Sequence, residues 1–264
     1  MRLRTVLAGA CVLAVAAVTP STYAVQGGPR RPSLPAVMLW AWERPTDLSP
    51  IDASRVGVAN LAGTVTLRRD AVLRQRRLQP LRVPPKTTIL SVVRIEVDGQ
   101  APPTLSDAQR RAAADALVAL AAHPRAAGLQ IDFDATRSQR TFYTELIHEV
   151  RARLPEERLL SITALASWCV GDPWVERLRD VDEAVPMLFQ MGPDRSTIEA
   201  ALAAGRDFGP PSCRTGYGVS VDEPIEPLDR NRRVYVFSPA GWNPRTIADA
   251  LAMTRQVRSA ATGR

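Results

Sequence analysis

The sequence predicts an α/β protein folded as a single (β/α)₈ barrel, and three observations predict it. Short apolar runs alternate with amphipathic helical stretches along most of the chain, the mark of βα units and a parallel sheet. Eight such runs can be placed, and eight parallel strands with right-handed crossovers close into a barrel more naturally than they spread into an open sheet. No GxGxxG or GxxxxGK[ST] loop follows any of them, which disfavours a nucleotide-binding sheet.

The expected strands are Val37–Glu43, Val56–Ala62, Thr88–Val97, Gly128–Ala135, Leu159–Ser167, Ala184–Gln190, Thr215–Asp222 and Val234–Pro239. Helix start signals separate them. Ser106 with Gln109 forms a capping box before Ala112–Ala122. Ser138 precedes a helix whose Phe142, Leu146, Ile147, Val150 and Leu154 share one face. Asp172-Pro173 and Asn243-Pro244 each pair an N-cap with an N1 proline. Ser196 with Glu199 opens another helix, and Gly205 closes it. The second unit is irregular: Val65 to Pro85 is Arg-rich, with Pro80, Pro84 and Pro85, and reads as a hairpin extension or an irregular crossover.

The 264 residues are 45% hydrophobic, enough for a sizeable core. Residues 1–24 read as a signal peptide: Arg2 and Arg4 precede an apolar run from Val6 to Val18, and Thr22-Tyr23-Ala24 supplies small residues for cleavage. Export to the periplasm or medium is therefore expected, with no stable membrane anchor after cleavage. Residues 25–35 are rich in Gly, Pro and Arg and read as a flexible leader, leaving 36–260 for the barrel. The net charge of +7 does not indicate nucleic acid, because acidic residues are interleaved throughout and Lys86 is the only lysine among arginines. The nearest approach to a basic run, Arg68 to Arg82, reads as a solvated face. Two cysteines remain in the mature chain, Cys169 and Cys213; an oxidising compartment permits a disulfide between them, and two separate buried thiols are the alternative. His123 and His148 lie on helical stretches without partners at ligand spacing, so neither a metal nor another cofactor is expected. A monomer is expected.

Residue parity assigns side chains to the lumen. In a barrel strand one face meets the helices and is apolar, and the other faces inward. Leu129, Ile131 and Phe133 are apolar, which turns Gln130, Asp132 and Asp134 inward near the C-terminal end of the fourth strand, where barrel active sites lie. The same parity sends Arg94 and Glu96 inward from the third strand, Met38, Trp40 and Trp42 from the first, and Ser161 and Thr163 from the fifth. It sends Ser220 and Asp222 inward from the seventh, with Trp168 at the mouth of the fifth and Gln190 at the end of the sixth. One arginine then faces Glu96, Asp132, Asp134 and Asp222. Buried charges cost several kcal/mol per ion unless paired, so a purely structural network around Arg94 is one explanation. The surplus of acid points instead to a site. Trp40, Trp42, Trp168, Trp174 and Trp242 all fall near strand ends, as indoles that stack on sugar rings would.

The runs Gly128–Ala135, Leu160–Cys169 and Val185–Phe189 with Met191-Gly192, together with Val93-Arg94-Ile95-Glu96, resemble a bacterial family known as Domain of Unknown Function 3142. The resemblance implies a glycoside-hydrolase-like barrel of unassigned activity. A more distant likeness is to chitinase-like barrels, whose fourth strand ends in DxxDxDxE. Asp132 and Asp134 match the central aspartates of that pattern, while Leu129 replaces the first aspartate and Thr136 the catalytic glutamate. Two functions follow as expectations. The first is a glycoside hydrolase with Asp134 as principal acid/base group and Asp132 and Glu96 assisting. In it Trp40, Trp42, Arg94, Gln130, Trp168, Gln190 and Asp222 bind an oligo- or polysaccharide. The alternative is a carbohydrate-binding barrel without chemistry.

Overall fold

The structure, a computed structural model, describes residues 33–223, 225 and 232–259; the expected signal peptide and most of the leader lie outside them. The strands are β1 (Val37–Ala41), β2 (Thr46–Asp47), β3 (Val56–Arg68), β4 (Ala71–Arg76), β5 (Leu81–Arg82), β6 (Ile89–Val97), β7 (Ala126–Asp132), β8 (Leu159–Leu165), β9 (Glu183–Met187), β10 (Gly216–Ser220) and β11 (Arg233–Phe237). Eight of them, β1, β3 and β6 to β11, are parallel neighbours in that order, and β1 closes the ring by pairing with both β3 and β11. The barrel is therefore shut and leaves no edge of its own.

Helices cover the outside only from β6 onward: α1 (Asp107–Ala121), α2 (Arg140–Arg153), α3 (Ala166–Val170), α4 (Arg195–Ala203) and α5 (Pro244–Ser259). No helix follows β1 or β3. After Ala62 the chain continues upward in β3, turns at Arg69-Asp70 and returns antiparallel as β4, which is the hairpin expected of the irregular second unit. The hairpin is braced. Gln109 of α1 is buried and donates from Nε2 to Arg69 O at 2.8 Å and Ala71 O at 2.9 Å. Ser106 Oγ accepts from Gln109 N, but the Gln109 carbonyl takes Leu105 N rather than closing a reciprocal box. At the base, Arg77 donates to Ala41 O, Arg44 O, Thr46 Oγ1 and Asn60 Oδ1.

Two apolar layers result from the strand period of two. Val58, Val93, Ile95, Leu129, Ile131 and Ile162 meet the helices in the outer layer. Met38, Trp40, Ala59, Leu90, Val92 and Tyr235 fill the lumen. Leu34 belongs to the lumen layer and is 5% exposed, while Arg233 donates to Pro35 O, so these two leader residues are part of the barrel floor. Cys169 on α3 and Cys213, just before β10, are joined as a disulfide with Cα atoms 6.0 Å apart.

Candidate functional site

A cleft of about 270 Å³ opens at the C-terminal ends of the barrel strands. Its floor is aromatic. Trp40 comes from β1, Trp42 and Phe189 from just beyond β1 and β9, and Phe237 from the end of β11. Trp40 stacks on Tyr235 at 5.1 Å, Phe189 stacks on Phe237 at 5.5 Å, and Trp42 meets Phe237 edge-on at 6.3 Å. Gly218 of β10 makes this packing possible: a Cβ there would lie 2.6 Å from Trp40 Cη2.

The polar wall carries Asp132, Asp134, Arg94 and Thr163. Asp132 ends β7, and its Oδ1 accepts from Thr163 Oγ1 of the neighbouring strand at 2.7 Å. Arg94 Nε lies 4.0 Å from Asp132 Oδ2 and 3.3 Å from Glu96 Oε1, and its Nη1 is 4.0 Å from Glu43 Oε1. One guanidinium is thus spread among several carboxylates, close to what parity implied, with Glu43 in place of Asp222. Burial lifts the Asp132 pKa to about 6, and the charges of Asp134 and Glu96 add to that rise against the opposing pull of Thr163 and Arg94. Asp134 lies just past the strand end and is more exposed. Burial of its carboxyl raises its pKa too, with Arg94 opposing.

Other expected site residues sit elsewhere. Gln130 is fully buried beneath the cleft, accepting from Trp40 Nε1 at 2.8 Å and donating to Ser161 Oγ at 3.0 Å. Glu96 faces a side depression next to Arg94 rather than the cleft. Trp168 is not at the mouth: β8 ends at Leu165, and α3 turns Trp168 into the outer core against Trp174 at 5.0 Å. Asp222 accepts from Ser220 of its own strand end and does not line the cleft. Gln190 does line it, at a positive φ of 51°, with its N–H held by Glu223 at 3.0 Å. Thr136 caps a short turn after β7 and also faces only the side depression.

The sequence reading missed two groups. Phe189 and Phe237 share the inward parity of Met187 and Tyr235, a signal that was available. Glu183 was not, since it sits one residue before the expected sixth strand. It is 1% exposed in the lumen and accepts from Tyr235 at 2.6 Å, Ser161 at 3.0 Å and Arg233. Trp40, Gln130, Ser161 and Glu183 thereby form one hydrogen-bonded chain under the aromatic floor. Among the described residues no group of three or more His, Cys, Asp or Glu is placed to hold a metal ion.

The family described as Domain of unknown function (DUF3142) matches residues 86–199, which include Arg94, Asp132, Asp134 and Thr163. No curated protein matches the chain. Among solved structures, a candidate chitinase A from Streptomyces coelicolor superposes with a TM-score of 0.55 at 11% identity, covering 85% of this chain and 99% of that one. A fungal endo-beta-N-acetylglucosaminidase from glycosyl hydrolase family 18 gives 0.48 at 14% identity, over 86% of this chain and 98% of that one. The likeness to the Streptomyces coelicolor structure is one of fold, an eight-stranded parallel α/β barrel.

Proposed function

We propose that the protein is an exported glycoside hydrolase that holds a neutral glycan in the cleft and cleaves it with Asp132 and Asp134. The observation that carries this reading is Asp132: a carboxyl with a pKa of about 6, anchored through one oxygen by Thr163, in a cleft floored by aromatic rings. A general acid must hold its proton closer to neutral pH than an ordinary carboxyl does, and a pKa of about 6 leaves this group about half protonated at pH 6 and roughly a tenth at pH 7. With Oδ1 occupied by Thr163, Oδ2 is the oxygen free to carry the proton to the glycosidic oxygen. Asp134 is the ionised partner, either activating water or stabilising the developing oxocarbenium ion. This reverses the order expected from sequence, where Asp134 was the principal group, because the strand end buries Asp132 more deeply. Arg94 limits the rise of both pKa values, and Glu96 serves Arg94 rather than the sugar.

The substrate class follows from charge. Arg94 is outnumbered by Glu43, Glu96, Asp132 and Asp134, so an anionic glycan would be repelled, while a neutral ring can stack on Trp42 and Phe237. The Cys169–Cys213 bridge supports export, since such bonds persist in oxidising compartments.

Reducing-end release from a panel of neutral polysaccharides, with binding measured separately on the same panel, tests the proposal. Release that disappears in Asp132→Asn while binding persists supports it. Binding without release from wild type favours the second reading, a carbohydrate-binding barrel, which Thr136 supports by standing where the chitinase-like pattern has its acid. Recovery of the protein only from the cytosol, with Met1 intact, would overturn the export component.

A further inference from the structure

We propose that the β3–β4 hairpin is the outer half of a glycan groove, so that a linear neutral chain seated in the cleft continues across the β6–β3–β4 surface; this rests on the glycan-binding function proposed above. The β3 strand carries a bulge at Ala62, where the register against β6 skips from Leu61 to Gly63. Below the bulge Gly57, Ala59 and Leu61 face the lumen. Above it Thr64 and Thr66 take over that face, the re-aiming that bulges perform near sites.

The ladder then lines up side chains across four strands. Asp132 of β7 is opposite Arg94 of β6, Arg94 opposite Thr64 of β3, and Thr64 opposite Gln75 of β4. Opposed residues share a face, and three inter-strand gaps make this a row of about 14 Å leading out from the cleft. A second row runs Glu96, Thr66, Leu73. The opposite face of the hairpin is closed, with Val65 and Leu67 buried in the outer core, so this face is the one open to a ligand.

Its chemistry is that of a sugar surface. Thr64, Gln75 and Gln79 are uncharged hydrogen-bonding groups lining a depression shared with Glu43, the residue 4.0 Å from Arg94. Leu78 lines the same depression, and Leu73 sits in the adjacent row. At 84% and 49% exposed, they are two of the three exposed large hydrophobics among the described residues. Apolar patches beside amide and hydroxyl groups match the faces and edges of pyranose rings. Arg74 and Arg76 are opposite Val65 and Gly63, the other parity of the hairpin. Arg76 still borders the depression, as does Arg77, whose guanidinium is held by Ala41 O, Arg44 O and Asn60 Oδ1. The brace from Gln109 and Arg77 means the surface is preformed and little ordering entropy is lost on binding.

The test is calorimetric binding of cello- and chito-oligosaccharides, dimer to hexamer, to wild type, Gln75→Ala and Thr64→Val/Gln75→Ala, with melting temperatures recorded for each. Gln75 is exposed, so its single variant reports on binding without a folding defect. Wild-type affinity should rise with chain length, and the double variant should bind the dimer as wild type does while losing about tenfold on the hexamer, the worth of one or two neutral hydrogen bonds. Equal affinity of wild type for dimer and hexamer overturns the outer groove and leaves the cleft reading standing. Equal losses at every length overturn it too. If wild type binds neither series, the cleft reading falls and this inference with it. Concentration-dependent dimerisation abolished by the hairpin variants would then mark β4 as a contact between copies.

Discussion

Trp40 donates its indole N–H to Gln130 Oε1 at 2.8 Å, so the aromatic floor of the cleft is fixed from inside the barrel. Gln130 in turn holds Ser161, and Ser161 holds Glu183, so the ring cannot shift without breaking a buried chain of hydrogen bonds. A cleft residue is thereby positioned by a group that is itself fully buried and does not line the cleft.

Gly218→Ala tests that rigidity. The added methyl would sit 2.6 Å from Trp40 Cη2 and 2.9 Å from Cζ3, and the ring is tied by its bond to Gln130 and stacked on Tyr235. The variant should lose about 1–3 kcal/mol in urea unfolding, as overpacked cores do, and its tryptophan emission should shift. Gly171→Ala is the control, since its Cβ would meet only Ser167 O at 3.9 Å. Equal stability of the two variants would show that Trp40 is not confined.

Asp132→Asn should abolish turnover and at the same time remove a pH dependence of folding. The folded-state pKa of about 6 lies above the ordinary 3.8, so the folded state binds this proton more tightly than the unfolded chain. Ionising Asp132 therefore costs about 3 kcal/mol of stability, absent below about pH 4, growing between about pH 4 and 6, and present in full above that. At pH 7 the asparagine variant should be no less stable than wild type, and denaturation from pH 4 to 7 should lose one titrating component. A variant that is destabilised at every pH and still turns over substrate would assign Asp132 to structure.

Thr163→Val removes the hydrogen bond that favours the ionised form of Asp132. The Asp132 pKa should rise further, read by carboxyl NMR titration, and the basic limb of any pH–rate profile should move up with it. A fall in that pKa would mean that Thr163 does not donate to the carboxylate.

Removing the bridge with Cys169→Ser and Cys213→Ser opens a loop of 44 residues' separation. The chain-entropy estimate is a loss of roughly 4 kcal/mol in non-reducing unfolding, and wild type under reductant should match the variant. Two free thiols counted in denatured, non-reduced wild type would remove the basis for this expectation.

Parity made the barrel legible because each strand has one face against helices and one against the lumen. Asp132, Arg94, Trp40 and Gln130 all point as Leu129, Ile131, Val93 and Leu39 dictate. Parity fails where strands end. β8 stops at Leu165, one turn before Trp168, and no local residue type announces that the chain becomes helical there. Asp222 had the right parity but lies past β10, where its neighbour Ser220 takes the carboxylate. Depth is invisible as well: Gln130 and Asp132 share a face, yet one lies under the floor and the other in the cleft. Glu183 escaped because a charged residue at the start of an apolar run looks like solvent, and its burial is made tolerable by donors from distant segments: Arg233 and Tyr235 from the last barrel strand and Ser161 from β8.

The closure of the sheet has a kinetic consequence. Val37 of β1 is in register with both Val56 and Val234, so the first barrel strand is flanked on one side by its near neighbour and on the other by the last strand of the barrel. The β1–β11 seam is the most non-local pairing in the ring, and it cannot form until β11 is available. Until then β1 and β10 are both open edges, the condition in which parallel sheets are slow to fold and prone to mispair. Amide exchange during refolding should find β6 to β8, joined through adjacent helical crossovers, protected early, and the Val37–Leu39 amides protected last.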